Sequence, residues 1–324
     1  MDKKELKVVS LFSGYGTQEL ALKYLGINYR NIANCDILKQ ANAAYDSLHK
    51  TEIGNLGDVS KVNEKEFPEC DLLTYSFPCQ DISISGIQRG IAKGTRSGLL
   101  YEVERIVDYN RPKFLLMENV KNLVSKTHIK SFNTYIDKLN DMGYGSSWMV
   151  LNGADYGCPQ NRERVFMFSV LGESSEDVHQ KMLGVLEQTK ERVPMSNFIE
   201  KDVDEKLFMN PPYEINIPKV KSACKLAARR TDVSYDQAKR IYSIEACSPC
   251  LTTSGAPQIM LEDKRIRTIS AREGYRFMGV KDNDIDLLLS TDLSTKQHIA
   301  LAGNSICVPV MVSIFDQFLT EYKK

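Results

Sequence analysis

LKVVSLFSGYGTQELALKYLG, residues 6–26, decides the fold class. Residues 6–12 are an apolar run of the kind that makes a buried strand, and Gly14-Tyr15-Gly16 is a turn. In the stretch that follows, Leu20, Leu22 and Leu25 recur at helical spacing until Gly26 stops the helix. A second unit of the same kind comes next: YRNIANCD reads as a strand and the Ala-rich ILKQANAAYDSLH as a helix. The alternation continues through DLLTYSF, KFLLMENV and RVFMFSV, with helices expected at 99–109 and 131–141. Such a rhythm predicts an α/β domain, a parallel sheet covered by helices, running to about residue 172. From about 174 to 265 it dissolves into short polar and proline-containing pieces, which predicts a second, smaller domain. The expected division is 1–185, completed by a C-terminal helix within 290–324, and 186–289.

Composition narrows the function classes. The chain has 324 residues, 42% hydrophobic and 26% charged, which excludes disordered, collagenous and coiled-coil proteins. It has no run of 18 apolar residues, and its charged start leads directly into a strand, so a cytoplasmic location is expected. Eight scattered cysteines read as reduced thiols. With 42 basic and 42 acidic residues there is no global field for a polyanion, so any nucleic-acid face must be local. Residues 219–240 are the candidate, with seven Lys or Arg against two Asp, or else a solvated face.

The strand ends carry the chemistry. A strand entering a Gly-x-Gly turn is either a tight turn or a place where backbone N–H groups meet a nucleotide-like ligand. Asp36, about 20 residues on, is placed for a ribose hydroxyl pair, and Asp58 for an adenine amino group. Together they suggest an adenosine-bearing ligand. Cys79, in Pro78-Cys79-Gln80, follows an apolar strand and is either a small buried hydrophobe or a nucleophile. Glu118 and Asn119 leave another strand end, and Gln160, Arg162 and Arg164 alternate into a further strand, which predicts that the two arginines point to one side. A guanidinium near a thiol favours thiolate and can hold a carbonyl oxygen.

The ordered set LFSGYG, GDV, SFPCQDISISG, MENVKNL, GADYGCPQNRERVFMF, RTISAREGYRFMGV and LAGNSICVPVM resembles the cytosine-5 DNA methyltransferases in their compact bacterial or phage form. The resemblance implies a Rossmann-like, S-adenosylmethionine-dependent methyltransferase sheet with a smaller target-recognition domain. It implies transfer of a methyl group from S-adenosyl-L-methionine to carbon 5 of a cytosine flipped out of double-stranded DNA, through a covalent Cys79 adduct. The catalytic residues it implies are Cys79, Glu118, Arg162 and Arg164. The cofactor positions are Phe12, Gly14, Gly16, Asp36, Ile37, Asp58, Val59, Pro78, Leu99, Asn304 and Ser305, and the DNA contacts are Ser85, Gln237 and Arg240, with no metal. Gly303-Asn304-Ser305 implies that the last helix returns to the first domain. Implied partners are double-stranded DNA and a cognate restriction endonuclease, with no membrane and a monomeric enzyme. An RNA cytosine-5 methyltransferase and a catalytically inactive DNA-binding relative are the competing readings.

The chain departs from the common pattern at four places. Ser10 stands where an acidic residue is usual, Thr17 where a second glycine is, Ile37 where an aromatic is frequent, and Cys250 where the Thr-Leu pair would begin. A zinc site at Cys247-x-x-Cys250 lacks a second ligand pair. Arg267, Arg272 and Arg276 are expected to organise the small domain, and His128, His179 and His298 to lie at the surface.

Overall fold

The computed structural model describes residues 4–78, 97–215 and 224–323. Cys79 and Ser85, with Lys219 and Lys221, lie outside the described residues. The chain divides into two compact units, one of residues 1–151, 163–189 and 310–324, the other of 152–162 and 190–309. The expected division differs in three places: 152–162 and 290–309 belong to the second unit, and 186–189 to the first.

The first unit is built on β1 (Leu6–Leu11), α1 (Thr17–Leu25), β2 (Tyr29–Cys35), α2 (Lys39–Leu48), β3 (Gly54–Asn55), β4 (Leu72–Tyr75), α3 (Leu100–Asn110), β5 (Phe114–Val120), α4 (Ile129–Asp141), β6 (Tyr144–Asn152), β7 (Glu163–Leu171) and α5 (Ser175–Leu186). Its seven strands lie in the order β3-β2-β1-β4-β5-β7-β6. The strands β1, β4 and β5 are fully or almost fully buried and β2 is buried from Asn31 onward, as a sheet covered on both faces requires. One expectation is corrected. The sheet is mixed, because β7 pairs antiparallel with β5, setting Glu118 opposite Phe166 and Val120 opposite Arg164. An apolar run such as RVFMFSV has no direction written in it. The rhythm also extends beyond residue 172. Ser174 caps α5 by accepting the Asp177 N–H, and Val178, Met182 and Val185 are buried at a helical spacing.

The C-terminal segment belongs to this unit from residue 310 onward. There Phe318 stacks on Phe168 at 3.9 Å between ring centroids, and the Asn28 N–H donates to the Tyr322 carbonyl. The last helix therefore does return to the first unit. The helical stretch Thr295–Phe318 has the length and apolarity to cross a membrane, but most of it is buried within the protein.

The second unit contains β8 (Phe208–Met209), β9 (Tyr213–Glu214), β10 (Leu226–Arg230), α6 (Asp236–Lys239), β11 (Arg240–Ser243), β12 (Gln258–Met260), β13 (Ile266–Thr268), α7 (Ala271–Arg276), α8 (Asp282–Leu289) and α9 (Thr295–Asn304); α10 (Val308–Phe318) begins here. Its sheet has the order β8-β13-β12-β11-β10-β9 over a small core of Ala228, Ile241 and Ile266. A bidentate ion pair supports it: the Arg267 guanidinium donates to both Glu273 oxygens at 2.7 and 2.6 Å, with both side chains almost fully buried. Glu273 also closes the capping box that starts α7. Arg272 and Arg276 pair with Glu200, Asp282 and Asp286. The expected surface position fails for two histidines. His128 and His298 are buried, the latter against the Tyr275 hydroxyl, while His179 is half-buried beside Ser147.

Candidate active site

At the carboxyl end of β1 the chain makes a left-handed turn, with φ of 55° at Phe12, 56° at Gly14 and 79° at Gly16. A Cβ at Gly16 would stand 2.4 Å from the His49 ring and 2.9 Å from the Tyr45 ring, so only glycine lets the turn sit this close to α2. The Gly14 N–H donates to Asp36 Oδ2 and the Leu38 N–H to Asp36 Oδ1, at 3.0 and 2.9 Å. Burial pushes the Asp36 carboxyl above its ordinary value, while these backbone N–H groups hold it back.

Asn55, which the sequence reading missed, ties the neighbouring loops together. Its Oδ1 accepts from the Asp36 and Gly57 N–H groups, and its Nδ2 donates to the Asp36 carbonyl. Cys35 Sγ donates to the Gly57 carbonyl at 3.0 Å, and burial raises this thiol to about 12, so it remains a protonated donor. Asp58 caps the short helix Val59–Lys61, and its bonds to Ser60 hold its carboxyl below the ordinary value. Ile37, next to Asp36 in the chain, is 71% exposed. Phe12 and Leu99 pack partly against the main core. A half-buried carboxylate, an exposed apolar side chain and a second carboxylate fit the hydroxyls, face and amino group of an adenosine.

Glu118, at the end of β5, is 8% exposed, and the Arg164 Nε lies 3.2 Å from its Oε1. The antiparallel pairing makes this contact. It brings the start of β7 beside the end of β5, so Arg164 is the diagonal neighbour of Glu118 on one face. In a parallel pair Arg164 would stand at the opposite edge of the sheet. Asn119 Nδ2 donates to the Phe77 carbonyl at 3.0 Å, fixing the backbone that leads into Pro78.

Arg162 is the other arginine of this run. It lies in the second unit, 3% exposed, and its guanidinium donates to Cys250 Sγ and to the carbonyls of Leu251, Gly303 and Ser305. β7 begins at Glu163, so Arg162 precedes the strand while Arg164 lies within it. Gln160 is likewise fully buried, accepting the Leu251 N–H and donating to the Phe277 carbonyl. Cys250 thus supplies Arg162 with an acceptor where threonine was expected. Asn304 is exposed at the end of α9, and Ser305 is buried. A Cβ at Gly303 would meet the Thr252 backbone at 2.5 Å, which explains a glycine in that run. Gln237 is exposed on α6, and Arg240 opens β11 with its Nε donating to Asp236 Oδ2 at 3.0 Å.

The family model for C-5 cytosine-specific DNA methylases matches residues 6–320. The type II methyltransferase M2.ScrFI of Lactococcus lactis subsp. cremoris is 35% identical over 269 residues, 81% of this chain and 70% of that one. The orphan methyltransferase M.SssI of Spiroplasma monobiae is 35% identical over 276 residues, 82% and 69% of the two chains. Among solved structures, the Schizosaccharomyces pombe Dnmt2 methyltransferase superposes with a TM-score of 0.72 at 21% identity, covering 96% of this chain and 98% of that one. A putative Escherichia coli prophage DNA modification methyltransferase does so with 0.69 at 17% identity, covering 98% of this chain and 100% of that one. These structures share the fold. The chain belongs to the C-5 cytosine-specific DNA methylase family. Its activity is sequence-specific methylation of DNA cytosine.

Proposed function

We propose that Cys79, Glu118 and Arg164 carry the chemistry of this methyltransferase, and that its methyl donor is S-adenosylmethionine held by the turn at Phe12–Gly16 with Asp36, Ile37 and Asp58. The observation that carries the reading is the Glu118–Arg164 pair at one strand end, with Asn119 fixing the backbone two residues before Cys79. Carbon 5 of cytosine is a poor nucleophile until a thiolate adds at carbon 6 and turns the ring into an enamine. Cys79 supplies that thiolate. Glu118 hydrogen-bonds or protonates ring nitrogen 3 as charge builds there, and Arg164 both orients Glu118 and holds the base's carbonyl oxygen. S-adenosylmethionine, when bound, supplies an electrophilic methyl group on a sulfonium. Loss of the carbon-5 proton and of the Cys79 sulfur then releases 5-methylcytosine.

The same reading takes double-stranded DNA as substrate, Gln237, Arg240 and Ser85 as its contacts, and Asn304 and Ser305 as further cofactor positions. It keeps a monomeric enzyme in the cytoplasm, with a restriction endonuclease as candidate partner. Transfer of a radiolabelled methyl group to duplex DNA and to RNA tests it. Label should enter DNA alone, and duplex carrying 5-fluorocytosine at the target should trap the wild type covalently but not Cys79→Ser. Turnover by Cys79→Ser above about one per cent of wild type moves the nucleophile elsewhere, since a serine hydroxyl is scarcely ionised at neutral pH.

A further inference from the structure

Beneath the turn at Ser13–Gly16 lies a buried polar cluster that the chemistry above does not use. Glu19, in the first turn of α1, is 1% exposed. Its Oε1 accepts two hydroxyls, Ser10 Oγ from β1 at 2.6 Å and Tyr45 from α2 at 2.9 Å. Among the described residues its Oε2 has no hydrogen-bond partner. Thr74 on β4 extends the chain by donating to Ser10 Oγ at 2.8 Å. The Tyr45 and His49 rings, 4.8 Å apart, are the groups on which Gly16 rests. One carboxylate therefore joins β1, α1 and α2 around the turn whose Gly14 N–H reaches Asp36. An apolar side chain would fill the space without the cost of burying a charge. The tie itself is then what the carboxylate provides, aided by a favourable position at the start of a helix whose N-cap, Gly16, offers no side-chain cap.

We infer that Glu19 is a positioning residue for the cofactor turn, its carboxylate holding the Ser13–Gly16 backbone in register with Asp36 from below. It stands in for the acidic side chain that Ser10 lacks, delivered to the same place from the next helix. The inference rests on the reading of this turn as the adenosyl site.

The test measures S-adenosylhomocysteine binding by calorimetry and thermal unfolding on the full chain. Glu19→Ala should weaken binding at least tenfold, and Glu19→Gln, which keeps one acceptor oxygen, by less. Steady-state KM for S-adenosylmethionine should rise more than kcat falls, because nothing at the reacting atoms has changed. The decisive pair exploits geometry. An aspartate at position 10 places a carboxylate oxygen close to where Glu19 Oε1 stands, so Ser10→Asp alone sets two carboxylates together and should weaken binding. Ser10→Asp combined with Glu19→Ala should restore binding to within about threefold of wild type. If Glu19→Ala fails to fold, the double variant decides, since a folded double variant that does not bind overturns the inference. Unchanged binding in Glu19→Ala also overturns it, provided Asp36→Asn weakens binding. If Asp36→Asn has no effect either, the adenosyl reading of the turn is what fails.

Discussion

In the proposed mechanism Glu118 acts only as charge develops on the base, so its replacement separates chemistry from affinity. Glu118→Gln keeps the shape and one acceptor oxygen for Arg164 but gives up the acid. A group in that role contributes about 10²–10⁴-fold. We therefore expect kcat to fall by two orders of magnitude or more while DNA affinity changes little, as read by single-turnover kinetics and gel-shift titration. Equal losses in both would make Glu118 a structural residue. Asp36 carries a pH consequence. Its carboxyl is raised by burial, and in the proposed adenosyl site the ionised form is the one that accepts from two ribose hydroxyls. As pH falls, S-adenosylhomocysteine affinity should begin to drop at a pH above the ordinary aspartate range. Asp36→Asn should bind weakly and without that dependence.

At the scale of elements, the place where a strand begins decides what neighbouring arginines contact. Arg162 stands one residue before β7 and holds three carbonyls together, while Arg164, two residues on, faces Glu118. Nothing in QNRERV distinguishes them. The difference is set by where the strand begins and by its antiparallel partner, both properties of pairing across more than forty residues of chain. By contrast, β1, the glycine turn and α1 were legible because the period changes from a continuous apolar run to helical spacing within one segment. Asn55 and Glu19 escaped because their partners come from other loops and helices. The Arg267–Glu273 pair gives this scale its own prediction. Removing one partner of a buried ion pair leaves the other uncompensated, which costs about 3–5 kcal/mol. Glu273→Ala should lower stability by that order in urea unfolding, with loss of the α7 capping box included. An apolar pair, Arg267→Met with Glu273→Leu, should recover much of it.

Stability of the whole molecule should depend on pH through two buried histidines, His49 and His298, of which only His298 was expected at the surface. Burial lowers the His49 and His298 imidazoles below the ordinary value, against the opposing influence of Glu19 on His49. The unfolded chain takes up these protons near pH 6.5 whereas the folded chain resists them, so the unfolded state binds more protons just below that pH. Stability should therefore fall as pH drops from about 6.5 towards the lowered folded values, with a slope of up to about 1.4 kcal/mol per pH unit for each group. His298→Gln should flatten the pH dependence of Tm while keeping a partner for Tyr275. An unaltered slope would assign the acid sensitivity to carboxylates.

DNA recognition also belongs to the molecule as a whole, because a chain with no net charge must rely on a local excess. Part of that excess is already engaged. Asp236 pairs with both Arg229 and Arg240, and Asp232 with Arg230. A phosphate approaching Arg229 or Arg240 must compete with Asp236, whereas Lys225 is exposed. Lys225→Gln should weaken binding to every duplex and reduce the slope of log affinity against log salt by about 0.9. Asp236→Asn should do the reverse, strengthening binding to scrambled duplex and steepening the slope. Arg240→Ala should lower cognate affinity by roughly 1–3 kcal/mol and relax the preference at one position, with little change on scrambled DNA. Binding to cognate and scrambled duplexes at three salt concentrations separates these roles. If Asp236→Asn changes neither affinity nor slope, and Arg240→Ala leaves the methylation pattern intact, residues 225–240 do not face the DNA.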